Sequence, residues 1–300
     1  WIDGSYVKEM PAGKIIRCWL PYPRQDQARQ QDVEFISASE PQYTFSSPEC
    51  RHSTLYMEKR AVEGEPTVFS ETFEFTANGE WHNLKPEDVQ PYDTTTALYK
   101  EYTAEREKHI VFSPRLRELA AKLTAGETNP YLKAKRIFRW VNDNFPWASA
   151  REYSTIENIP EYVLDNRHGD CGQVSLLFIT LCRISGIPAH FQSGFMMHPR
   201  AWNLHDWAEV YFEGVGWVPA DQSFGIPAFA RNADEEYFFL GGIDSWRMIV
   251  NTDYGMPLQP EKQYPRSETV DFQRGEVEWE GGNLYFPQWD YHMDIDYLNY

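Results

Sequence analysis

Arg167-His168-Gly169-Asp170-Cys171-Gly172-Gln173 opens the stretch that decides the fold. It continues through Val174-Ser175-Leu176-Leu177-Phe178-Ile179-Thr180-Leu181-Cys182-Arg183-Ile184 to Gly186-Ile187-Pro188. After a gap come His205-Asp206-Trp207-Ala208-Glu209-Val210-Tyr211-Phe212 and then Gly216-Trp217-Val218-Pro219-Ala220-Asp221. Gly169-Asp170 reads as a turn and an N-cap, which places Cys171 in the first turn of a helix. Val174, Leu177, Phe178, Leu181 and Ile184 recur at helical spacing, so one face of that helix is core. Gly186 and Pro188 end it. A thiol there meets the positive end of the macrodipole and unpaired N–H groups, both of which favour thiolate. The same N–H groups, that of Gly172 among them, suit an oxyanion. Cys182, eleven residues on among apolar neighbours, reads as a buried hydrophobe.

Working outward, 189–195 reads as a strand, and 205–212 alternates. Ala208, Val210 and Phe212 fall on one face, His205, Trp207, Glu209 and Tyr211 on the other. Glu213-Gly214-Val215-Gly216 is a hairpin turn, and the return strand carries Asp221 to within a few residues of the level of His205. A histidine within reach of a thiol can take its proton, and an aspartate on the other ring nitrogen holds the tautomer. His205 is singled out because it arrives with Cys171 and Asp221. His52, His82, His109, His190, His198 and His292 read as structural or surface residues.

These motifs, in this order, resemble the core of the transglutaminase-like superfamily. The resemblance is strong over 167–221 and weaker over roughly twice that length. It implies a papain-like Cys-His-Asp site, with Cys171 as nucleophile, His205 as general base and acid, and Asp221 orienting His205. Gly172, Trp147 and Trp207 become candidates for the oxyanion site or the substrate wall. The superfamily includes crosslinking transglutaminases, microbial peptidase-like proteins and peptide:N-glycanases. The motifs do not carry the choice of reaction. Hydrolysis of a peptide amide is favoured here, because nothing in the sequence marks a site that keeps water out. Crosslinking and glycan–asparagine amidase activity are the alternatives within the chemistry. A catalytically silent peptide- or glycan-binding protein on the same fold is the alternative outside it.

Composition bounds the rest. Lys and Arg number 28 against 45 Asp and Glu, a net charge of −17. That excludes an ordinary nucleic-acid or anionic-membrane partner and is read as solubility. A peptide, protein or glycopeptide substrate is the expected partner, and oligomeric state has no sequence signal. No apolar run is long enough to span a membrane. The first residue is Trp1 and not Met, which suggests a trimmed, extracytoplasmic protein. Glycine-rich dinucleotide, phosphate-loop and HExxH motifs are all missing, and no CxxC pair supports zinc at His168, Cys171, Cys182 and His205. No cofactor or metal is therefore expected. Cys171 and Cys182 would lie about 16 Å apart along one helix, too far to bridge. Cys18 and Cys50 could pair.

Strand candidates at 14–20, 33–38, 53–59 and 67–76, punctuated by prolines, predict an N-terminal β-sandwich-like domain over 1–85. A helical tendency at 95–106, Ser113-Pro114 and Asn129-Pro130 as helix starts, and a short helix at 161–166 lead into a catalytic core spanning 86–225. Residues 226–300 read as an aromatic-rich β/loop extension packed on that core, with short strands at 238–240, 248–251, 268–272 and 276–279. Its cluster of Trp279, Tyr285, Phe286, Trp289, Tyr291 and Tyr297 could line a groove, though core packing is the simpler expectation. The predicted class is α+β, a papain- or transglutaminase-like core in which the helix bearing Cys171 packs on an antiparallel sheet.

Overall fold

The computed structural model of the protein describes residues 2–7, 12–149 and 151–298. The chain opens with strands β1 (Ile2–Val7), β2 (Ile15–Pro21), β3 (Gln30–Ala38), β4 (Tyr43–Phe45), β5 (Thr54–Arg60), β6 (Thr67–Ala77) and β7 (Glu80–Trp81). Helices follow: α1 (Ala97–Tyr102), α2 (Pro114–Leu123), α3 (Pro130–Asn144), α4 (Ile159–Asn166) and α5 (Cys171–Ile184). Then come β8 (Ala189–Met196), β9 (Asn203–Phe212), β10 (Gly216–Ala220), α6 (Ala233–Glu236), β11 (Gly242–Ile243) and β12 (Arg247–Thr252). The chain closes with β13 (Glu276–Trp279), β14 (Gly282–Leu284) and β15 (Trp289–Met293). The protein is thus a mixed α and β fold with antiparallel sheets. The expected stretches 238–240 and 268–272 form no strand; Leu240 makes only a single antiparallel bridge to Ala220.

Three helices start by one device. The side chains of Ser113, Asn129 and Asn158 accept the N–H groups of Leu116, Leu132 and Glu161, with a proline in each first turn. Each such cap is worth about 1 kcal/mol.

Two units divide the chain. The first gathers the residues up to Asn78, Ser193–Leu204, and those from Trp246 onward. It holds two antiparallel sheets, ordered β15-β1-β6-β3 and β14-β13-β2-β5-β4. Alternation along β2 sends Ile16, Cys18 and Leu20 into one apolar cluster with Leu55, Met57, Phe69, Val277 and Trp289. Trp19 points the other way, into a cluster with Phe195, Met248, Val250 and Phe272. The sandwich expected from the N-terminal third is present, but its boundary differs from 1–85. Its strands β13 and β15 come from the end of the chain, pairing with β2 and β1. Strands β13, β14 and β15 are therefore not part of a separate extension on the core; they join the sandwich sheets at their edges. Trp289 is buried in the first cluster, with Trp279, Phe286 and Tyr291 packed against it, so most of that aromatic group is core. Cys18 and Cys50 form no disulfide with each other.

The second unit comprises Gly79–Gln192 and His205–Ser245. Within it β10, β9 and β8 lie side by side, and β10 returns along β9 with Gly216 opposite Phe212 and Ala220 opposite Ala208. Strand β8 runs out of this unit at Gln192, and its far end pairs with β12 inside the first unit. Helix α5 is buried on all sides: Gln173, Ser175 and Thr180 are as inaccessible as Leu177 and Phe178. The single core face expected from its periodicity is too narrow, because α2, α3 and α4 pack around it. Each fully buried Leu, Ile or Phe there contributes about 1.5–3 kcal/mol, which fixes the start of α5 in a rigid surround.

Candidate active site

The turn before α5 is built by backbone conformation and a reciprocal cap. Arg167 ends α4 in the left-handed region at φ 61°. The sequence suggested glycine for this bend; Gly169 instead serves close packing, since a Cβ on it would lie 3.0 Å from the Gln173 Cβ. Asp170 Oδ1 accepts the Gln173 N–H at 3.1 Å, and Gln173 Oε1 accepts the Asp170 N–H at 3.4 Å. This capping box sets Cys171 at the first helical position.

The half-buried Cys171 thiol donates to Asp206 Oδ2 at 3.4 Å. Tyr153 Oη donates to Asp170 Oδ1 at 2.5 Å and lies 3.5 Å from Asp206 Oδ2. Gly172 makes this convergence possible. A Cβ there would sit 2.4 Å from Tyr153 Oη and 2.7 Å from Asp206 Oδ2. Burial pushes the Cys171 thiol well above its ordinary range, and the charges of Asp206 and Asp170 push it further. Burial likewise raises the Asp170 carboxyl, against the hydrogen bonds from Tyr153 and the Gln173 N–H and the nearby charge of His205. These groups work against the thiolate that the helix terminus favours. The macrodipole supplies about half a positive charge, while two carboxylates crowd the sulfur.

Buried His205 presents Nε2 to Oδ2 of the fully buried Asp221 at 2.8 Å. Asp221 Oδ1 accepts the N–H groups of Ser223 and Phe224 at 3.2 and 3.1 Å. Asp221 thus follows β10 directly and is locked by its own loop. The His205 ring lies between Trp207, centroid 5.7 Å away, and Phe224, 5.4 Å away. Behind it Trp207 Nε1 donates to Gln192 Oε1 at 2.5 Å, and Gln192 Nε2 donates to Glu209 Oε2 at 3.1 Å. Glu209 also pairs with His190 Nε2 at 3.0 Å.

The three predicted residues thus fall in one unit, Cys171 beside Asp206 and His205 on Asp221. Trp147 pairs through its backbone with Gly169, two residues before Cys171, and the residue is 58% exposed. Trp207 is 0% exposed, so it cannot be a substrate wall; it backs the His205 ring. Sequence reasoning passed over Tyr153, Phe224 and Asp206. Asp206 had a readable signal, since it is the one carboxylate on the face of the 205–212 strand that carries Ala208, Val210 and Phe212.

Residues 117–222 match the model of the Transglutaminase-like superfamily. YebA of Bacillus subtilis, an uncharacterized protein, is 27% identical over 140 residues, which cover 40% of this chain and 19% of YebA. An uncharacterized protein of Haemophilus influenzae is 26% identical over 165 residues, 46% of this chain and 42% of the relative. The matched parts therefore span less than half the length of either relative. A candidate cysteine protease from Cytophaga hutchinsonii superposes with a TM-score of 0.58 over 99% of this chain and 90% of its own, at 16% identity. That likeness shows the fold. Among the described residues no helix is long and apolar enough to cross a membrane.

Proposed function

We propose that this chain, whose residues 117–222 carry a transglutaminase-like core, acts on peptide amides by thiol-dependent acyl transfer, with water as the favoured acceptor. Cys171 is the nucleophile, His205 the base and then the acid, and Asp221 the residue that holds His205. The observation that carries the reading is the 2.8 Å contact between two buried groups, His205 Nε2 and Asp221 Oδ2. A buried histidine tied through one ring nitrogen keeps a defined tautomer and orientation. With Nε2 on Asp221, proton exchange with the thiol runs through Nδ1.

The steps follow from these groups. A substrate carbonyl seated at the start of α5 is attacked by the sulfur as its proton passes to His205, and a C–S bond forms. The N–H groups of Cys171 and Gly172 have no carbonyl four residues back within α5, so they suit the oxyanion. His205 returns its proton to the leaving amine, the C–N bond breaks, and a thioester remains. Water, deprotonated by His205, then releases the acid. The exposed Trp147 beside this turn is suited to one wall of the substrate site.

The test is peptide-library digestion read by mass spectrometry, with a primary amine and a glycopeptide offered in parallel. Cys171→Ala should remove at least about 10³-fold of any cleavage. Amine incorporation without hydrolysis would mark a crosslinker, and glycan release an N-glycanase-like amidase. The carboxylate-flanked thiol favours a second reading, a silent site on a binding protein. Tight peptide binding with no turnover, unchanged by Cys171→Ala, would establish it.

A further inference from the structure

We propose that Asp206 is a positioning residue that holds Cys171 as a neutral thiol at rest, accepting its S–H hydrogen bond from the core-facing side of β9. The proposal rests on the reading of Cys171 as a nucleophile for its consequence, and not for its test.

A carboxylate on the apolar face of a strand is costly to bury unless it is held by donors. Asp206 is 2% exposed, yet it sits among the alternate positions that carry Ala208, Val210 and Phe212. At the sulfur it meets the Cys171 thiol at 3.4 Å, with Tyr153 Oη 3.5 Å from the same oxygen. Gly172 has no side chain to fill the space these groups occupy. Three elements thus close around the thiol. The turn before α5 brings Asp170, the segment at 153–155 brings Tyr153, which donates to Asp170, and β9 brings Asp206, which accepts from the thiol. The carboxylates of Asp206 and Asp170 oppose thiolate formation, against the backbone N–H of Asp206 that favours it. Burial first and then the charge of Asp206 push the thiol upward in the same sense.

The consequence is a guarded nucleophile. Oxidants and alkylating agents react with thiolate, so a thiol pinned by Asp206 is inert at rest. It loses its proton to His205 when a carbonyl substrate takes the sulfur away from Asp206. His205 supplies the base, and Asp206 sets the state from which the proton leaves.

Labelling by iodoacetamide across a pH series, with the alkylated peptide identified by mass spectrometry, tests this without any substrate. In the wild-type chain the Cys171 midpoint should lie above the ordinary thiol value of about 8.5. Asp206→Asn should bring the midpoint down by about one to two units. Labelling at pH 7 should then rise roughly threefold to tenfold, less than the gain in thiolate because nucleophilicity falls with basicity. Asp206→Ser, smaller and uncharged, should act alike, and circular dichroism verifies the fold of both. A wild-type midpoint at or below the ordinary value overturns the proposal even if neither variant folds. So does a folded variant with an unshifted midpoint, since burial alone would then set the thiol. Failure to find turnover would remove the proposed function and leave this shift standing.

Discussion

Asp221→Asn separates catalytic positioning from stability at this site. Asp221 uses its two oxygens differently. Oδ1 takes the Ser223 and Phe224 N–H groups at 3.2 and 3.1 Å, and Oδ2 faces His205 Nε2 at 2.8 Å. An asparagine of the same shape must choose an orientation. If its amide nitrogen faced the two backbone donors, both would be stranded in the interior at about 1–3 kcal/mol each. The oxygen therefore stays on the loop, and Nδ2 faces Nε2. Two N–H donors cannot share that contact, so the imidazole proton moves to Nδ1 and Nε2 becomes the acceptor. Replacing a charge-assisted bond with a neutral one costs about 1–2 kcal/mol, read as an earlier urea midpoint with an unchanged slope. Turnover should fall about 10²- to 10⁴-fold, because the nitrogen that must accept the thiol proton is already occupied. Long-range ¹H–¹⁵N NMR of His205 reads the tautomer directly and needs no substrate. An Asn variant that keeps its proton on Nε2, or that turns over within a few-fold of wild type, would refute the reasoning.

Gly172→Ala should destabilise the second unit by about 1–3 kcal/mol in urea titration, the cost of overpacking a tight site. The new methyl would meet Tyr153 and Asp206 at 2.4–2.9 Å, and Tyr153→Phe in the same chain should recover only part of the loss. His109 predicts acid sensitivity. Burial, with Lys108 and Arg106 nearby, lowers its pKa from 6.5 to about 4, and its Nδ1 accepts the N–H of Ile159, the first residue of α4. Its folded value lies below its unfolded one, so the unfolded chain binds the extra proton first. The stabilisation is complete above about pH 6.5 and is lost as pH falls toward 4, by about 3 kcal/mol in all. Denaturant midpoints for wild type and His109→Gln should differ most near neutrality and converge as pH falls to 4. Parallel curves across that window would refute the assignment.

Much of the fold was legible because its signals are local. Ser113-Pro114 and Asn129-Pro130 state where α2 and α3 begin, since capping is settled within one turn. The period-two pattern of 205–212 and the glycines at 214 and 216 state the hairpin, and with it the approach of Asp221 to His205. Cys171 at a helix start could be read from Gly169-Asp170 and the apolar spacing behind it.

Other features were illegible because they depend on groups far apart in the chain. Nothing near residue 279 says that β13 pairs with β2, so the sandwich looked like an N-terminal domain and the last third like an extension. Trp207 reads as amphipathic until Gln192 on the neighbouring strand takes its N–H and closes it inside. The sequence by itself determined the helix that begins at Cys171, the hairpin that bears His205 and leads to Asp221, and the apolar faces of those elements. Only the tertiary structure decided the electrostatics of the thiol. A helix N-terminus alone favours thiolate, but charge interactions act through space, and folding brings Asp206, 35 residues further along the chain, to the sulfur.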